Sequence, residues 1–503
     1  MTPLNVPSSA LKGRALFSLI FFTSPGLLAA VNGADTTKKT ADETMTVVAD
    51  GSRQSATNGY QPVNTSTATL TSMPMLDIPQ VVNTVSEQVL QDQHATNLDE
   101  ALYNVANVVQ TNTLGGTQDA FTRRGFGANR DGSIMTNGLR TVLPRSFTAA
   151  TERVEVLKGP ASTLYGILDP GGLINVVTKR PERTFGGSVS ATSTSFGGGT
   201  GRFDVTGPID GTPLAYRVIG EYQHEDYWRN FGKEKSSFIN PSLTWFGERA
   251  TVNVSYSHRN YSTPFDRGTI FDLNTGHAVN VDRKTRFDEP FNITDGYSDL
   301  AQLNAEYRLS DAWTARFDYS YSQDHYNDDQ ARVMAYDSAT GNLTRRVDAT
   351  HGSTQKMHSS RADLQGNVVI GGFYNEILTG LAYENYDLLR TDMIRCKNVK
   401  GFNIYNPVYG TVGKCSSASA SDSDQRIQQE SYAGYVQDAL YLTDKWIAVA
   451  GVRYQYYTQY AGKGRPFNVN TDSSDQKWTP KAGLVYKLTP SVSLFGNVAQ
   501  SFM

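Results

Sequence analysis

The sequence predicts a membrane all-β protein: an up-and-down transmembrane β-barrel preceded by a compact α/β domain. Three observations carry this. After Phe185 the chain becomes a series of segments of about 10 residues in which apolar and polar side chains alternate, as in strands with one lipid face and one wet face. Tight turns such as Leu309-Ser310-Asp311-Ala312 and Leu442-Thr443-Asp444-Lys445 alternate with long polar connections, residues 261–299 and 324–356. Aromatic residues gather near segment ends, as at Tyr454, Tyr456 and Tyr457, in the manner of an interfacial girdle.

Composition agrees. A chain of 503 residues with net charge -3, 39% hydrophobic residues and 44 glycines is neither a disordered polymer nor a helical membrane protein. Tyrosine (27) and phenylalanine (22) are plentiful, yet the mean hydropathy is negative, which suits a sheet at an interface. Beyond the first residues no apolar window is long enough to span a bilayer as a helix, so later spans must be strands.

Lys12 and Arg14 precede an apolar run over residues 15–30, followed by small residues, the layout of a secretory signal peptide (residues 1–34) with cleavage between Ala30 and Ala34. Pro25 and Gly26 interrupt the run too early for a membrane anchor, which needs about 20 apolar residues. Residues 35–65 are polar and predict a mobile arm. Within it Asp42-Glu43-Thr44-Met45-Thr46-Val47-Val48-Ala49 is a β-prone island with no partner strand of its own, open to pairing with another chain.

Residues 66–184 contain the α/β domain. Val81 to Val85 reads as a strand, a helix begins at Ser86, and Asn97 caps a second helix, Leu-Asp-Glu-Ala-Leu-Tyr-Asn-Val, with Glu100 at its third position. Residues 185–503 hold the alternating segments. In the clearest, Trp313, Ala315, Phe317, Tyr319 and Tyr321 share one face and Thr314, Arg316, Asp318, Ser320 and Ser322 the other. A soluble sandwich would bury the first face and a barrel would give it to lipid, leaving the second in a wet lumen; the turn and girdle pattern favours the barrel. About 13 strands fit between Gly187 and Met503. A closed single-chain barrel needs an even number and no open edge, so the expectation is a chain truncated at its C-terminus.

Only Cys396 and Cys415 occur, and in an exported protein they are expected to pair, closing a loop of about 20 residues for roughly 3 kcal/mol; metal binding by an isolated pair is the weaker reading. Nothing supports catalysis: the seven histidines form no HExxH, and there is neither a GxSxG nor a Walker loop. No nucleic-acid partner, resident metal or cofactor is expected.

Several ordered motifs resemble the TonB-dependent siderophore receptors, and among them the ferrichrome and ferrioxamine (hydroxamate) group. Residues 42–49 look like the TonB box. Ile78-Pro79-Gln80, Leu98 to Leu102, Arg124-Gly125-Phe126, Asn137-Gly138, Val154-Glu155-Val156-Leu157-Lys158-Gly159-Pro160, Leu164-Tyr165-Gly166 and Pro170-Gly171-Gly172 look like the plug domain. The resemblance implies a plug inside the lumen of an outer-membrane barrel completed with 22 strands in the family. It further implies a ferric siderophore as ligand, its iron held by the siderophore and not by side chains, and uptake driven by TonB with ExbB and ExbD of the inner membrane.

Read physically, the plug motifs are scaffolding: Gly125, Gly159, Gly166, Gly171 and Gly172 supply positive-φ turns or close approaches, and Pro160 and Pro170 fix the chain entering them. Arg124, Glu152, Arg153, Glu155 and Lys158 are expected to form the polar contact between plug and wall, the plainer alternative being surface salt bridges. Asn129, Arg130, Arg145 and Phe147 from the plug apices, with Tyr405 and Tyr409 of the cysteine-bounded loop, are the candidate ligand contacts, against ordinary loop roles for each. Mixed signs in the long loops, Asp324, Asp328 and Asp329 near Arg332, favour a weakly charged ferric hydroxamate over an anionic tris-catecholate; a catecholate, haem or cobalamin receptor, and a passive pore or adhesin, are the alternatives. The loops are also a surface open to phage or bacteriocin.

Overall fold

The computed structural model describes residues 57–127 and 132–503. The signal peptide, residues 42–49, and Asn129 and Arg130 lie outside the described residues.

Strand β1 (Val81–Val85) runs into helix α1 (Glu87–Asp92), capped by the Ser86 hydroxyl accepting from the Val89 amide. Helix α2 (Leu98–Leu102) is capped by Asn97 accepting from the Glu100 amide, while the Glu100 carboxylate reaches back to the Thr96 amide. It stops three residues before the expected end, with Tyr103 87% exposed and Asn107 at a φ of 62° turning the chain. Strands β2 (Ile134–Thr136), β3 (Leu139–Arg140), β4 (Thr151–Lys158) and β5 (Gly172–Thr178) complete a mixed sheet of order β1-β4-β5-β2-β3, parallel only between β5 and β2. Its two central strands are buried on both sides, which explains runs such as Val-Glu-Val-Leu with no polar face. On one side Val85, Leu90, Leu98, Leu102, Phe121, Phe147, Val154, Val156, Ile174 and Val176 form the domain's own core.

Thirteen antiparallel strands follow in sequence order: β6 (Gly186–Ser193), β7 (Gly198–Pro208), β8 (Leu214–Asp226), β9 (Lys233–Phe246), β10 (Ala250–Pro264), β11 (Ile293–Arg308), β12 (Trp313–Asp337), β13 (Asn342–Ile370), β14 (Phe373–Asn403), β15 (Gln425–Tyr441), β16 (Trp446–Lys463), β17 (Asn468–Thr489) and β18 (Val492–Ala499). The sheet curls around the α/β domain, which bonds to it from Lys179–Asp204 on β7, through Arg316 to the Leu70 carbonyl on β12, to Lys487–Asp77 on β17. Alternation along β12 is as expected, with Phe317 exposed and Asp318, Ser320 and Ser322 almost wholly buried. The second face is largely covered by the inner domain, however. The inner domain occupies much of the lumen, and wall residues Leu378, Ala439, Ile447, Val449 and Val485 pack on Leu70, Met73, Leu157 and Leu173 of that domain.

A second expectation is corrected in the same region. Residues 324–356 are not a loop: β12 and β13 continue through them as a hairpin turning at residues 338–341. A 25-residue strand spans about 85 Å at 3.4 Å per residue, well beyond an apolar band of about 25 Å. Outside the bilayer neither face need be apolar, so the polar hairpin reads as loop. Residues 265–292 and 404–424 are long connections; at the other end the turns are two to five residues.

Candidate functional site

A cavity of about 370 Å³ lies between the apices of the inner domain and strands β13–β15 of the wall. From the inner domain Asp119, Ile134, Arg140, Val142 and Leu143 face it; from the wall come Gln355 and Met357 of β13, Glu384, Tyr386, Leu388 and Arg390 of β14, and Ile427 and Gln429 of β15. The β14 set recurs every second residue, so period-two alternation alone puts it on one face. These residues were legible as a row but not as a site.

Charge in the cavity is balanced. Arg140 pairs with Glu384 at 3.3 Å, Arg390 donates to Gln425 at 2.9 Å, and Asp119 pairs with Arg145 at 3.1 Å. Among the described residues no group of three His, Cys, Asp or Glu could hold a metal ion.

Of the expected contact residues that are described, Arg145, Phe147, Tyr405 and Tyr409 do not line this cavity. Arg145 braces the apex, its guanidinium bonded to Asp119 and to the Gly116 carbonyl; its neighbours Pro144 and Ser146 line the cavity instead. Phe147 is 9% exposed and belongs to the inner domain's core. Tyr405 is 63% exposed beside Gly341 at the hairpin tip. Tyr409 packs edge-on against Phe231 at 5.0 Å and donates to the Arg286 carbonyl at 2.9 Å. Gly132, just after the undescribed residues 128–131, does line the cavity.

The scaffold motifs also sort by geometry. Gly125, Gly159, Gly166 and Gly172 sit at positive φ. Gly171 has no such φ, but a Cβ there would come within 2.5 Å of the Arg123 carbonyl oxygen, a close approach only glycine permits. Of the charge expected at the plug-wall contact, Arg153 pairs with Glu155 at 2.7 Å and Glu152 at 2.6 Å on its own strand, and Glu155, fully buried, also accepts from the Thr65 and Thr67 hydroxyls. Burial pulls Lys158 below the usual lysine range, helped by Arg124. Contacts across to the wall are made by Arg140, by Asn137 to Gln302 at 2.7 Å, and by Gln437 to the Thr69 carbonyl at 3.0 Å.

The connection 265–292 is clamped by ion pairs, Arg229–Asp266 at 2.8 Å, Arg286–Asp288 at 2.7 Å and Arg345–Glu289 at 2.7 Å. Burial pushes Asp288 up to about 6 against the pull of Arg286. The Asp266 amide donates to the Gly115 carbonyl, so this connection rests on the apex. Cys396 of β14 and Cys415 are disulfide-bonded, stapling residues 404–415 beside it. A non-reduced digest of the exported protein should therefore give these two cysteine peptides as one linked species by mass spectrometry; two free thiols would count against the staple.

Comparison with known proteins places these observations in a family. The TonB-dependent Receptor Plug Domain matches residues 74–173, and the TonB dependent receptor-like beta-barrel matches residues 238–503. The chain is 29% identical over 502 residues to a metal-pseudopaline receptor, CntO, of Pseudomonas aeruginosa, covering 97% of this chain and 70% of that protein. It is 26% identical to the catecholate siderophore receptor Fiu of Escherichia coli (86% of this chain, 62% of that protein) and 24% identical to the ferrioxamine B receptor of Salmonella typhimurium (86% and 63%). The chain thus spans under two thirds of the latter two. In fold it is similar to the closed form of Fiu, with a TM-score of 0.78, 23% identity, and 88% of this chain and 68% of that one covered. It is likewise similar to FpvAI in its complex with pyocin S2, with a TM-score of 0.79, 18% identity, and 88% and 58% covered. These relatives are receptors, not enzymes, and their ligands, as named, do not single out the hydroxamate group.

Proposed function

The chain belongs to the family of TonB-dependent outer-membrane receptors, and on that premise we propose that it binds a ferric siderophore in the cavity between plug and wall and imports it by TonB-dependent, energised transport. The observation that carries this reading is the cavity itself. Its volume of about 370 Å³ is in the range of small-molecule sites, and it combines apolar walls with a few convergent polar groups.

The charge balance favours a hydroxamate such as ferrioxamine or ferrichrome. A ferric tris-catecholate carries several negative charges and calls for clustered, unpaired cations. Here Arg140 and Arg390 stand with Asp119 and Glu384, and Arg140 is already paired. Tyr386, Met357, Leu388 and Ile427 suit a neutral, greasy complex. The similarity to a metal-pseudopaline receptor over 97% of the chain supports a second reading, a different metal chelate; haem and cobalamin fit the same architecture. The domain scheme proposed is signal peptide 1–34, arm 35–65 with the TonB box at 42–49, plug 66–184 and barrel 185–503, with TonB, ExbB and ExbD as the energising partners. Bacteriocin docking on the loops is a secondary role suggested by the FpvAI–pyocin S2 complex.

The test is growth of iron-starved cells that carry the complete gene as their sole receptor of this type. Ferrioxamine or ferrichrome should restore growth and compete with radiolabelled ferric hydroxamate. Growth on a tris-catecholate alone would overturn the hydroxamate assignment, and growth on no metal chelate would overturn the receptor reading.

A further inference from the structure

Arg140 stands where plug, wall and cavity meet. Its Nε donates to Glu384 Oε1 of β14 at 3.3 Å, Nη1 to the Gly132 carbonyl at 2.9 Å, and Nη2 to the Ile167 carbonyl at 2.8 Å. One guanidinium thus joins the wall to two separate stretches of the plug. The Arg140 and Glu384 side chains are 13% and 20% exposed, and both line the cavity. The same plug turn is tied to the wall by Asn137 to Gln302, by Ser359 to the Arg140 carbonyl at 3.1 Å, and by Arg361 to the Gly138 carbonyl at 3.4 Å. None of those four side chains lines the cavity. The ionic tie is the one a ligand can reach.

We propose that a bound metal chelate takes Arg140 from Glu384, an oxygen of the chelate replacing the carboxylate as acceptor, so that filling the cavity loosens the plug turn from strand β14. This rests on the cavity being the ligand site. Two features make the exchange feasible. The bonds to Gly132 and Ile167 hold the guanidinium in place, so the ligand meets a pre-positioned donor. Glu384 is not abandoned either, because its side chain is 20% exposed at the cavity; a fully buried carboxylate left with no cation would make the exchange far less favourable. Arg140 is then a coupling residue: its release from Glu384 frees from strand β14 the plug stretches at Gly132 and Ile167 to which it stays bonded.

The proposal makes a prediction of unusual sign: deleting a cavity carboxylate should tighten binding. Ferrioxamine B and a ferric tris-catecholate would be titrated onto outer membranes carrying the protein from its complete gene, as wild type, Glu384→Gln, Arg140→Gln and the double variant. Glu384→Gln should bind about fivefold more tightly, since the ligand no longer competes with the pair. Arg140→Gln should bind at least about tenfold more weakly, and the double variant should match Arg140→Gln. Glu384→Asp, a milder change should Glu384→Gln assemble poorly, should shift affinity in the same direction by less. Unchanged or weaker binding by both Glu384 variants, or additive effects in the double variant, would overturn the coupling role while leaving the ligand site standing. Wild-type protein that binds neither probe would overturn the ligand reading, and this inference with it.

Discussion

Arginine in place of Phe317 should stop the barrel from assembling, at a cost of about 2 to 4 kcal/mol near the bilayer midplane. Phe317 is 42% exposed on the outer face of β12, four residues beyond Trp313, the first residue of the strand after the short turn at residues 309–312. With about 3.3 Å of rise per residue and a strand tilt near 40°, that is roughly 10 Å into an apolar band of about 25 Å. A guanidinium there reaches water on neither side. Ala315 is nearer the membrane edge, so Ala315→Arg should do less harm. Thr314 faces inward, and Thr314→Asn should be tolerated. Asp318, though inward, is no neutral control: its carboxylate accepts from Arg361 and from Asn304, both at 2.8 Å, so Asp318→Asn would disturb a buried pair. Heat-modifiable gel mobility of the protein from its complete gene reads the outcome. Equal damage from Thr314→Asn and Phe317→Arg would mean a sheet covered on both faces, contrary to a lipid-facing wall.

That alternation was legible because lipid imposes it: along Trp313 to Ser322 one face must be apolar whatever the plug does. The same signal fades where the bilayer ends. At Asp328 and Gln330 the inward residues are polar and almost wholly buried, 3% and 7% exposed, and their outward neighbours Asp329 and Asn327 are polar as well. Period two survives in the backbone but not in hydropathy, which is why the hairpin reads as loop. The site was hidden by distance along the chain. Arg140 and Glu384 lie 244 residues apart, and alternation groups Glu384, Tyr386, Leu388 and Arg390 without saying what they face. Position within a motif was no better guide, since Phe147 turns into the plug core while its neighbour Ser146 lines the cavity. The glycine positions of the plug were legible for the opposite reason: backbone geometry at Gly159 or Gly172 is a local demand that only one residue type meets easily.

Proline in place of Val47 should abolish energised uptake while leaving ligand binding at the cell surface unchanged. The expectation follows from residues 42–49 acting as an unpaired strand that adds to a strand of TonB. Proline removes one of the amides that pairing needs and restricts the residue before it. Binding should be spared because the cavity is built from residues 118 onward and from the wall. Uptake should fail because the arm leads directly into a stretch wedged between plug and wall. Thr65 and Thr67 donate to the buried Glu155, the Leu70 carbonyl accepts from Arg316 at 2.9 Å, and the Thr69 carbonyl accepts from Gln437 at 3.0 Å. A pull on the arm meets these bonds first. Each is worth about 1 to 3 kcal/mol net, the upper end for those to Glu155 and from Arg316, and one proton falling through 100 mV releases about 2.3 kcal/mol, so inner-membrane work is on the scale needed to break them. Val47→Ile, which keeps the amide and the β-branched side chain, should restore uptake. Radiolabelled chelate separates the two steps, as surface-bound counts on poisoned cells and accumulated counts on energised ones. Normal accumulation by Val47→Pro would remove the TonB box assignment, and loss of surface binding would mean that the arm contributes to the ligand site itself.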